Sequence, residues 1–525
     1  MNILLAEPLS PLAMEKLHAQ TDYHVTIATP ETFHNFLGDC DALIVQSCKV
    51  TREIILAAPR LRVIGRAGGG VENVDLDAAT ASGVLVMNTP GGNAVSVAEH
   101  TLALMLALAR SIPLASQSTK AGKWEMPRFI GTELRGKTLG ILGLGAIGRE
   151  VAKRARALEM TIIAADPFVN SLTASDLGIE LVSQRVLWSR ADYITLHVAL
   201  TPATQGMINE FSLAEMKRGV RIVNCARGEL IDAVALAQAI AAGHVGGAAL
   251  DVFQTEPPSA GEPLLKFDNV IATPHIGGAT EEAQEIVGVR IVAQMLEYLK
   301  SGMATNAVNL PAITAEQFRA IGPYITLAER LGSFVSHIAS GNPKAVRMIY
   351  VGRMSDSNTQ VIRNAALAGV LARSLTRRPN VVNAMQIAQD RGISVGESHE
   401  TRSANIDSIR VEIDTDTEKT TVEGAVLLNH PRLLSVDGIP CEAPLSGNVS
   451  YMKNADVPGV IGFIGSVLGS NGINIASFSL GRLELQPGHI ATAVSVVQTD
   501  QEIPPRVLKE LLENPSLMVA RTVQF

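Results

Sequence analysis

Residues 138–158 read Thr-Leu-Gly-Ile-Leu-Gly-Leu-Gly-Ala-Ile-Gly-Arg-Glu-Val-Ala-Lys-Arg-Ala-Arg-Ala-Leu, an apolar run that meets three glycines spaced GxGxxG and then turns helical, with Ile147, Val151, Ala155 and Leu158 on one face. Such a segment has few ways to fold. Gly143 permits a tight turn, Gly145 lets the backbone approach a pyrophosphate, Gly148 allows helix and strand to pack closely, and the helix N-terminus offers amide donors to phosphate oxygens. Eighteen residues beyond Gly148, at the end of the next apolar run, stands Asp166. A carboxylate there accepts from ribose hydroxyls and repels a 2′-phosphate, and none of the following ten residues is Arg or Lys. The spacing predicts a βαβ dinucleotide unit that prefers NAD to NADP.

The motif begins late, so a complete βα region precedes it. Apolar runs at 3–6, 42–45, 62–64, 84–87, 138–142, 161–165, 193–196, 221–224, 247–250 and 270–272 are separated by crossover-length segments. That alternation predicts an α/β chain with two Rossmann-like parallel-sheet lobes and a ligand cleft between them. The expected division is a substrate lobe over 1–97, completed by 281–311, and an NAD-binding lobe over 98–280. Residues 312–446 open with a helical pattern over 315–339 and carry no obvious site chemistry, which marks an intervening α+β domain. Residues 447–525 read βαββαβ, with strands at 449–452, 473–479, 490–497 and 517–523 and helices at 460–468 and 505–513. That order is ferredoxin-like.

Charge narrows the partners. The 525 residues carry 44 Lys and Arg against 51 Asp and Glu, a net charge of −7, so no global basic field attracts nucleic acid or an anionic membrane. The apolar run 102–109 is far shorter than the roughly 20 residues a bilayer needs, and it reads as a buried core helix. Cys40, Cys48, Cys225 and Cys441 form no CxxC pair; no disulfide framework and no metal site is expected, and a reducing cytoplasm fits. The N-terminus lacks a basic region and reads as a first strand.

Three further strand ends bear reactive side chains: Arg227 in Asn224-Cys225-Ala226-Arg227-Gly228, Glu256 in the segment after Asp251, and His275 in Thr273-Pro274-His275. Strand C-termini in such sheets face the cofactor crevice. Oxidation of a 2-hydroxy acid requires a base for the hydroxyl proton, a cation for the carboxylate and a nicotinamide at the carbinol carbon. His275 suits the first role and Arg227 the second, with Glu256 pairing the imidazole and favouring its protonated form for the reverse reduction.

These segments, with Gly65-Arg66-Ala67-Gly68-Gly69-Gly70-Val71-Glu72-Asn73-Val74-Asp75, Gly122-Lys123-Trp124 and Ala249-Leu250-Asp251-Val252-Phe253, closely resemble the D-isomer-specific 2-hydroxyacid dehydrogenases. Nearest is the long form with an intervening domain and a C-terminal ACT domain. The resemblance implies NAD-dependent oxidation of a phosphorylated 2-hydroxy acid, D-3-phosphoglycerate, at the start of L-serine synthesis. It puts NAD contacts on Gly143, Gly145, Ala146, Ile147, Gly148, Asp166, Val198, Cys225, Ala226, Arg227, Asp251, His275, Gly277 and Gly278. Substrate contacts fall on Ser47, Arg66, Gly68, Gly69, Asn93, Arg227 and His275. Asn454-Ala455-Asp456-Val457-Pro458-Gly459 and the later Asn471-Gly472-Ile473-Asn474 are similar to the ACT signature, which implies an amino-acid effector, serine, bound at a dimer interface by Asn454, Asp456 and Asn474. A homotetramer is the implied assembly.

The pattern departs from the family at Gln46, Met126 and Gly69. Gln46 and Met126 stand where the family commonly has basic residues, leaving Arg66, Lys49, Arg52 and Arg128 as candidate phosphate donors. Two other functions share these motifs. One is a dehydrogenase of an unphosphorylated acid such as 2-hydroxyglutarate; the other is an NAD-sensing regulator, against which the ACT-like tail and the acidic charge both weigh.

Overall fold

Short runs of Ile, Leu and Val between glycines and prolines form parallel strands where helices can cover both faces. In the computed structural model, which describes all residues except 353–358, 374–378, 401–405 and 483–490, this happens twice. The first sheet holds β1 (Asn2–Leu5), β2 (His24–Ile27), β3 (Ala42–Val45), β4 (Val63–Arg66) and β5 (Leu85–Met87), all parallel in the order β2-β1-β3-β4-β5. Only β2 escapes the apolar pattern: its sequence is His-Val-Thr-Ile, and His24 and Ile27 are exposed at the sheet's edge.

The second sheet holds β6 (Thr138–Leu142), β7 (Thr161–Ala165), β8 (Glu180–Leu181), β9 (Tyr193–Leu196), β10 (Val220–Asn224), β11 (Val245–Leu250) and β12 (Val270–Ala272). Its order is β12-β11-β10-β9-β6-β7-β8. The strand order reverses at β6 and β9, and the crevice beyond their C-terminal ends is where such sheets bind ligands.

Two helices join the lobes. Helix Ala94–Arg110 packs Leu102, Met105, Leu108 and Ala109 into the core of the second sheet. Helix Glu281–Ser301 returns to the first, placing Val287, Ile291, Val292, Met295 and Leu299 in its core. Gly65 on β4 makes that return possible: a Cβ there would lie 2.6 Å from the Met295 methyl. Beyond the helix, the Asn309 side chain accepts from the Val86 amide at 2.9 Å and donates to the Val84 carbonyl at 2.9 Å, fastening this segment along β5. Among the described residues no single helix is long and apolar enough to cross a membrane.

The third sheet is mixed: β13 (Pro343–Val351), β14 (Ser394–Glu400), β15 (Ser408–Thr415), β16 (Lys419–Leu427), β17 (His430–Val436) and β18 (Ile439–Pro444), in the order β14-β13-β15-β16-β17-β18. Residues 315–339 form the expected helix, Ala315–Ile338, which lies against helix Gln360–Ala372. Their backbones touch, because a Cβ at Gly332 would overlap the Ala366 carbonyl and one at Gly369 the Glu329 carbonyl. The strands carry charged pairs, Arg347 with Glu412 at 3.2 Å and Arg410 with Glu423 at 3.2 Å. That dilutes the period-two apolar signal.

The fourth sheet, β19 (Asn448–Ala455), β20 (Ile475–Arg482), β21 (Thr492–Thr499) and β22 (Leu517–Gln524), is antiparallel in the order β20-β21-β19-β22. Helices Val460–Ser470 and Pro505–Leu512 complete the βαββαβ unit. The strand expected over 473–479 starts at Ile475, after the turn at Gly472. The one expected over 490–497 is displaced to Thr492–Thr499, and Ile490 lies outside the described residues. Val449, Tyr451, Val494, Val496 and Val523 join the third sheet's core, with Tyr451 edge-on to Phe334 at 6.1 Å.

Candidate active site

The glycine turn after β6 has the shape its spacing demands. Gly143 sits at φ +90°, and a Cβ there would run into the His197 carbonyl; one at Gly148 would overlap the Gly143 carbonyl. Nothing lies within 4 Å of a Cβ built on Gly145, so that side of the turn stays open to a phosphate. Helix Ala146–Ala157 starts there with no side-chain cap, leaving its first amides free for an anion. Asp166 ends β7 and takes the Leu144 and Phe168 amides at 2.8 Å each, which fixes its carboxylate beside the turn. Val198 follows β9 against Gly143. The neighbouring His197 accepts or donates at 2.9 Å with Thr195, while its Nδ1 is buried without a partner; burial pushes it down to about 3, so it stays neutral. The open cradle and the orphaned nitrogen fit a dinucleotide on this crevice.

Asp251, at the end of β11, is the centre of the next layer and is 1% exposed. Its carboxylate accepts from the amides of Ile276 at 2.9 Å and Gly277 at 2.8 Å, from the Thr273 hydroxyl at 2.6 Å and from His100 at 3.2 Å. Burial alone would raise its pKa, yet these donors together hold it below the usual aspartate range. Its own carbonyl accepts the His275 amide at 2.8 Å. His275 adopts φ +55°, a conformation uncommon for residues other than glycine, and the Asp251 contacts are what hold it there.

In that position the His275 Nδ1 lies 2.7 Å from Glu256 Oε2, while Glu256 Oε1 accepts the Phe253 amide at 3.1 Å. An ionised carboxylate only accepts, so Nδ1 carries a proton, and in the neutral ring the lone pair is then on Nε2. Arg227 follows β10 on a turn built by the buried Asn224, whose side chain accepts the Ala226 amide and donates to the Arg227 carbonyl at 2.7 Å. The Cys225 thiol is pushed up to about 12 by burial, which removes it as a nucleophile. His100, Cys225 and Asp251 bring ligand atoms within 4.8 Å of one another. Within this cluster the Asp251 carboxylate is the hydrogen-bond hub, taking donors from His100, Thr273, Ile276 and Gly277.

Across the cleft, Arg66 ends β4 with its Nε buried and unpaired. Gly68 lets that guanidinium lie against the backbone, since a Cβ would overlap Arg66 Nη1. Asn93 lies between Gly69 and Gly278, at the meeting of the lobes. Ser47 is differently engaged: its hydroxyl and the amides of Gln46, Ser47 and Cys48 all close on Glu7, two residues past β1. Glu7 organises this loop and was not singled out from the sequence, although its strand-end position was the available signal. Lys49 lines a separate cleft of about 620 Å³ with His34 and Phe33, and Arg128 pairs with Glu125 and Asp268 at 3.5 Å.

The three effector candidates do not meet within one chain. Asn454 pairs in register with Ala493, and Ile475, beside Asn474, with Thr499, at opposite ends of β21. Asn454 keeps a buried, unpartnered Oδ1, Asp456 faces Arg482 at 3.6 Å, and Asn474 donates to Asp500 at 2.7 Å.

Comparisons with known proteins agree with this geometry. Residues 102–277 match the D-isomer specific 2-hydroxyacid dehydrogenase NAD binding domain, and residues 320–437 the D-3-phosphoglycerate dehydrogenase intervening domain. The chain is 43% identical to D-3-phosphoglycerate dehydrogenase of Methanocaldococcus jannaschii over 98% of each chain. It is 38% identical to that of Bacillus subtilis over 92% of each. The solved D-lactate dehydrogenase of Aquifex aeolicus, complexed with NAD and lactic acid, superposes with TM-score 0.52 at 29% identity, covering 59% of this chain and all of that one. Residues 102–277 are thus an NAD-binding domain. By its full-length similarity and its two matched domains, the chain belongs to the D-3-phosphoglycerate dehydrogenases of the D-isomer specific 2-hydroxyacid dehydrogenase family.

Proposed function

We propose that the chain oxidises D-3-phosphoglycerate to 3-phosphohydroxypyruvate, reducing NAD to NADH and releasing one proton, as the first step of L-serine biosynthesis. The observation that carries this reading is the 2.7 Å His275–Glu256 contact on a strand end beside the NAD crevice. Bound NAD supplies the hydride acceptor. Gly143, Gly145, Ala146, Ile147 and Gly148 hold its pyrophosphate, Asp166 its adenine ribose, and Val198, Cys225, Ala226, Asp251, Gly277 and Gly278 line the rest of the crevice.

His275 Nε2 takes the C2 hydroxyl proton as the hydride leaves, and Glu256 stabilises the imidazolium that results. In the reverse direction the same imidazolium donates. Arg227 binds the substrate carboxylate through its fork, and Arg66, with the bare backbone of Gly68 and Gly69, receives the phosphate. Asn93 orients the substrate where the lobes meet, and Ser47 shapes the cleft wall through Glu7. The working division is 1–97 with 281–311 for substrate, 98–280 for NAD, 312–446 intervening and 447–525 an ACT domain.

Serine is the proposed effector of that last domain. Because Asn454 and Asn474 lie at opposite strand ends, a second copy alongside would bring one chain's Asn454 and Asp456 to the other's Asn474. Trp124, Met126 and Ile130, exposed on the NAD lobe, supply apolar surface for a second dimer contact, and the two together make a homotetramer.

Initial rates of NADH formation with D-3-phosphoglycerate, D-2-hydroxyglutarate and D-lactate, each with and without L-serine, test the reading. A strong preference for the phosphorylated acid is expected. Turnover of the unphosphorylated acids alone would keep the family and remove the substrate.

A further inference from the structure

We propose that Glu72 is an anion-displaceable latch, closing Arg227 across the cleft in the ligand-free enzyme so that every carboxylate substrate must first expel it. The inference rests on the reading of Arg227 as the substrate's cation.

The two residues come from different lobes. Glu72 lies in the loop after β4, and Arg227 follows β10. Glu72 Oε1 accepts from Arg227 Nε at 2.5 Å and pairs with Nη2, while Nη1 donates to the Ala226 carbonyl at 2.6 Å. Nε and Nη2 form the fork that recognises a carboxylate with two parallel hydrogen bonds. One fork holds one such carboxylate. A 2-hydroxy acid and Glu72 therefore compete for the same donors.

The surrounding backbone is fixed, so exchange requires only a side-chain swing. Asn73 donates to the Cys48 carbonyl at 2.7 Å, and its own carbonyl accepts the Val50 amide at 2.7 Å. Gly70 leaves the pair its space: a Cβ there would overlap both Glu72 Oε2 and Arg227 Nη2. The Glu72 side chain is 55% exposed and that of Arg227 27%, so the carboxylate has water to enter when an anion takes its place. Arg227 and, more weakly, Arg66 offset the cost of Glu72's partial burial and hold its carboxyl below the usual glutamate range. The latch is thus charged at neutral pH.

An exposed pair of this kind is weak, and its removal should tighten anion binding by about two- to five-fold. The test uses the full-length enzyme loaded with NADH and calorimetric titration with oxalate, an unreactive dicarboxylate, beside steady-state kinetics with D-3-phosphoglycerate. In Glu72→Gln, the oxalate Kd and the substrate KM should fall by that factor, with KM for NAD unchanged and kcat not reduced. Glu72→Asp, shorter but still charged, should lie between the two. An unchanged or raised oxalate Kd in Glu72→Gln, with oxalate binding lost in Arg227→Gln, would overturn the latch and leave the role of Arg227 standing. Equal oxalate affinity in Arg227→Gln and the unsubstituted enzyme would overturn both.

Discussion

Replacing Asp251 by Asn tests how the catalytic loop is held. The native carboxylate presents two acceptors, Oδ1 to Ile276, Thr273 and His100 and Oδ2 to the Gly277 amide at 2.8 Å. Asparagine has one acceptor and one donor group. If its oxygen serves Ile276 and Thr273, its NH₂ faces the Gly277 N–H; in the flipped amide the NH₂ faces the Ile276 N–H instead. A buried donor left without a partner costs about 1–3 kcal/mol, and the hydrogen bonds that survive lose their charge assistance. Local opening should therefore become easier by about 2 kcal/mol, which raises exchange of the Gly277 amide roughly thirty-fold. His275 hangs on the same residue through its amide, so kcat/KM should fall by about a hundred-fold, the scale set by small misplacements of a reacting group. Hydrogen exchange followed by mass spectrometry reads the loop, and steady-state kinetics reads the site. Native exchange at Gly277 together with native kcat/KM in Asp251→Asn would refute the hub. The pH dependence has a definite sign. With a pKa below its unfolded value, Asp251 contributes stability that is present above the ordinary aspartate range and is lost as the pH falls through the folded pKa.

Reversing the charge at Asp166 with Arg removes the carboxylate that holds the Leu144 and Phe168 amides, and NAD affinity in a fluorescence titration should fall by about ten- to a hundred-fold; unchanged affinity would contradict its place beside the ribose. His275→Ala should lower kcat by about 10²- to 10⁴-fold with NAD affinity kept, and equal losses in both would contradict an acid–base role. Cys225, buried and with its thiol pushed up to about 12, should resist iodoacetamide at pH 8 until the protein is unfolded; rapid alkylation of the native enzyme at this residue would show the burial to be wrong.

What the sequence revealed follows from how each element is stabilised. Parallel strands buried on both faces read as plain apolar runs, so 42–45, 138–142, 161–165 and 193–196 agree with β3, β6, β7 and β9 to the residue, and the edge strand β12 also agrees because its three residues are all apolar. Edge strands β2 and β8 and the ion-paired strands β13 to β18 carry no such run. In the candidate site, Gly143, Gly145, Gly148, Asp166, Arg227, Glu256 and His275 were legible because each lies in the segment that follows a recognisable strand. His100 was not, since a histidine inside an apolar helix gives no hint of the carboxylate 151 positions away that it meets. Glu7 meets the loop after the neighbouring strand β3, and Glu72 meets Arg227 of the other lobe, relations that only the tertiary structure supplies. Asn454 and Asn474 were legible as residues and not as a site, because their separation along β21 is a matter of register.

The most direct test follows one atom. D-3-phosphoglycerate deuterated at C2 is incubated with the full-length enzyme and NAD in a single turnover, and the reduced nucleotide is analysed by mass. Hydride transfer within the Arg227, Glu256 and His275 site predicts one deuterium on each NADH formed, with one 3-phosphohydroxypyruvate beside it. NADH without deuterium, or no NADH at all while D-2-hydroxyglutarate is turned over, would contradict the account.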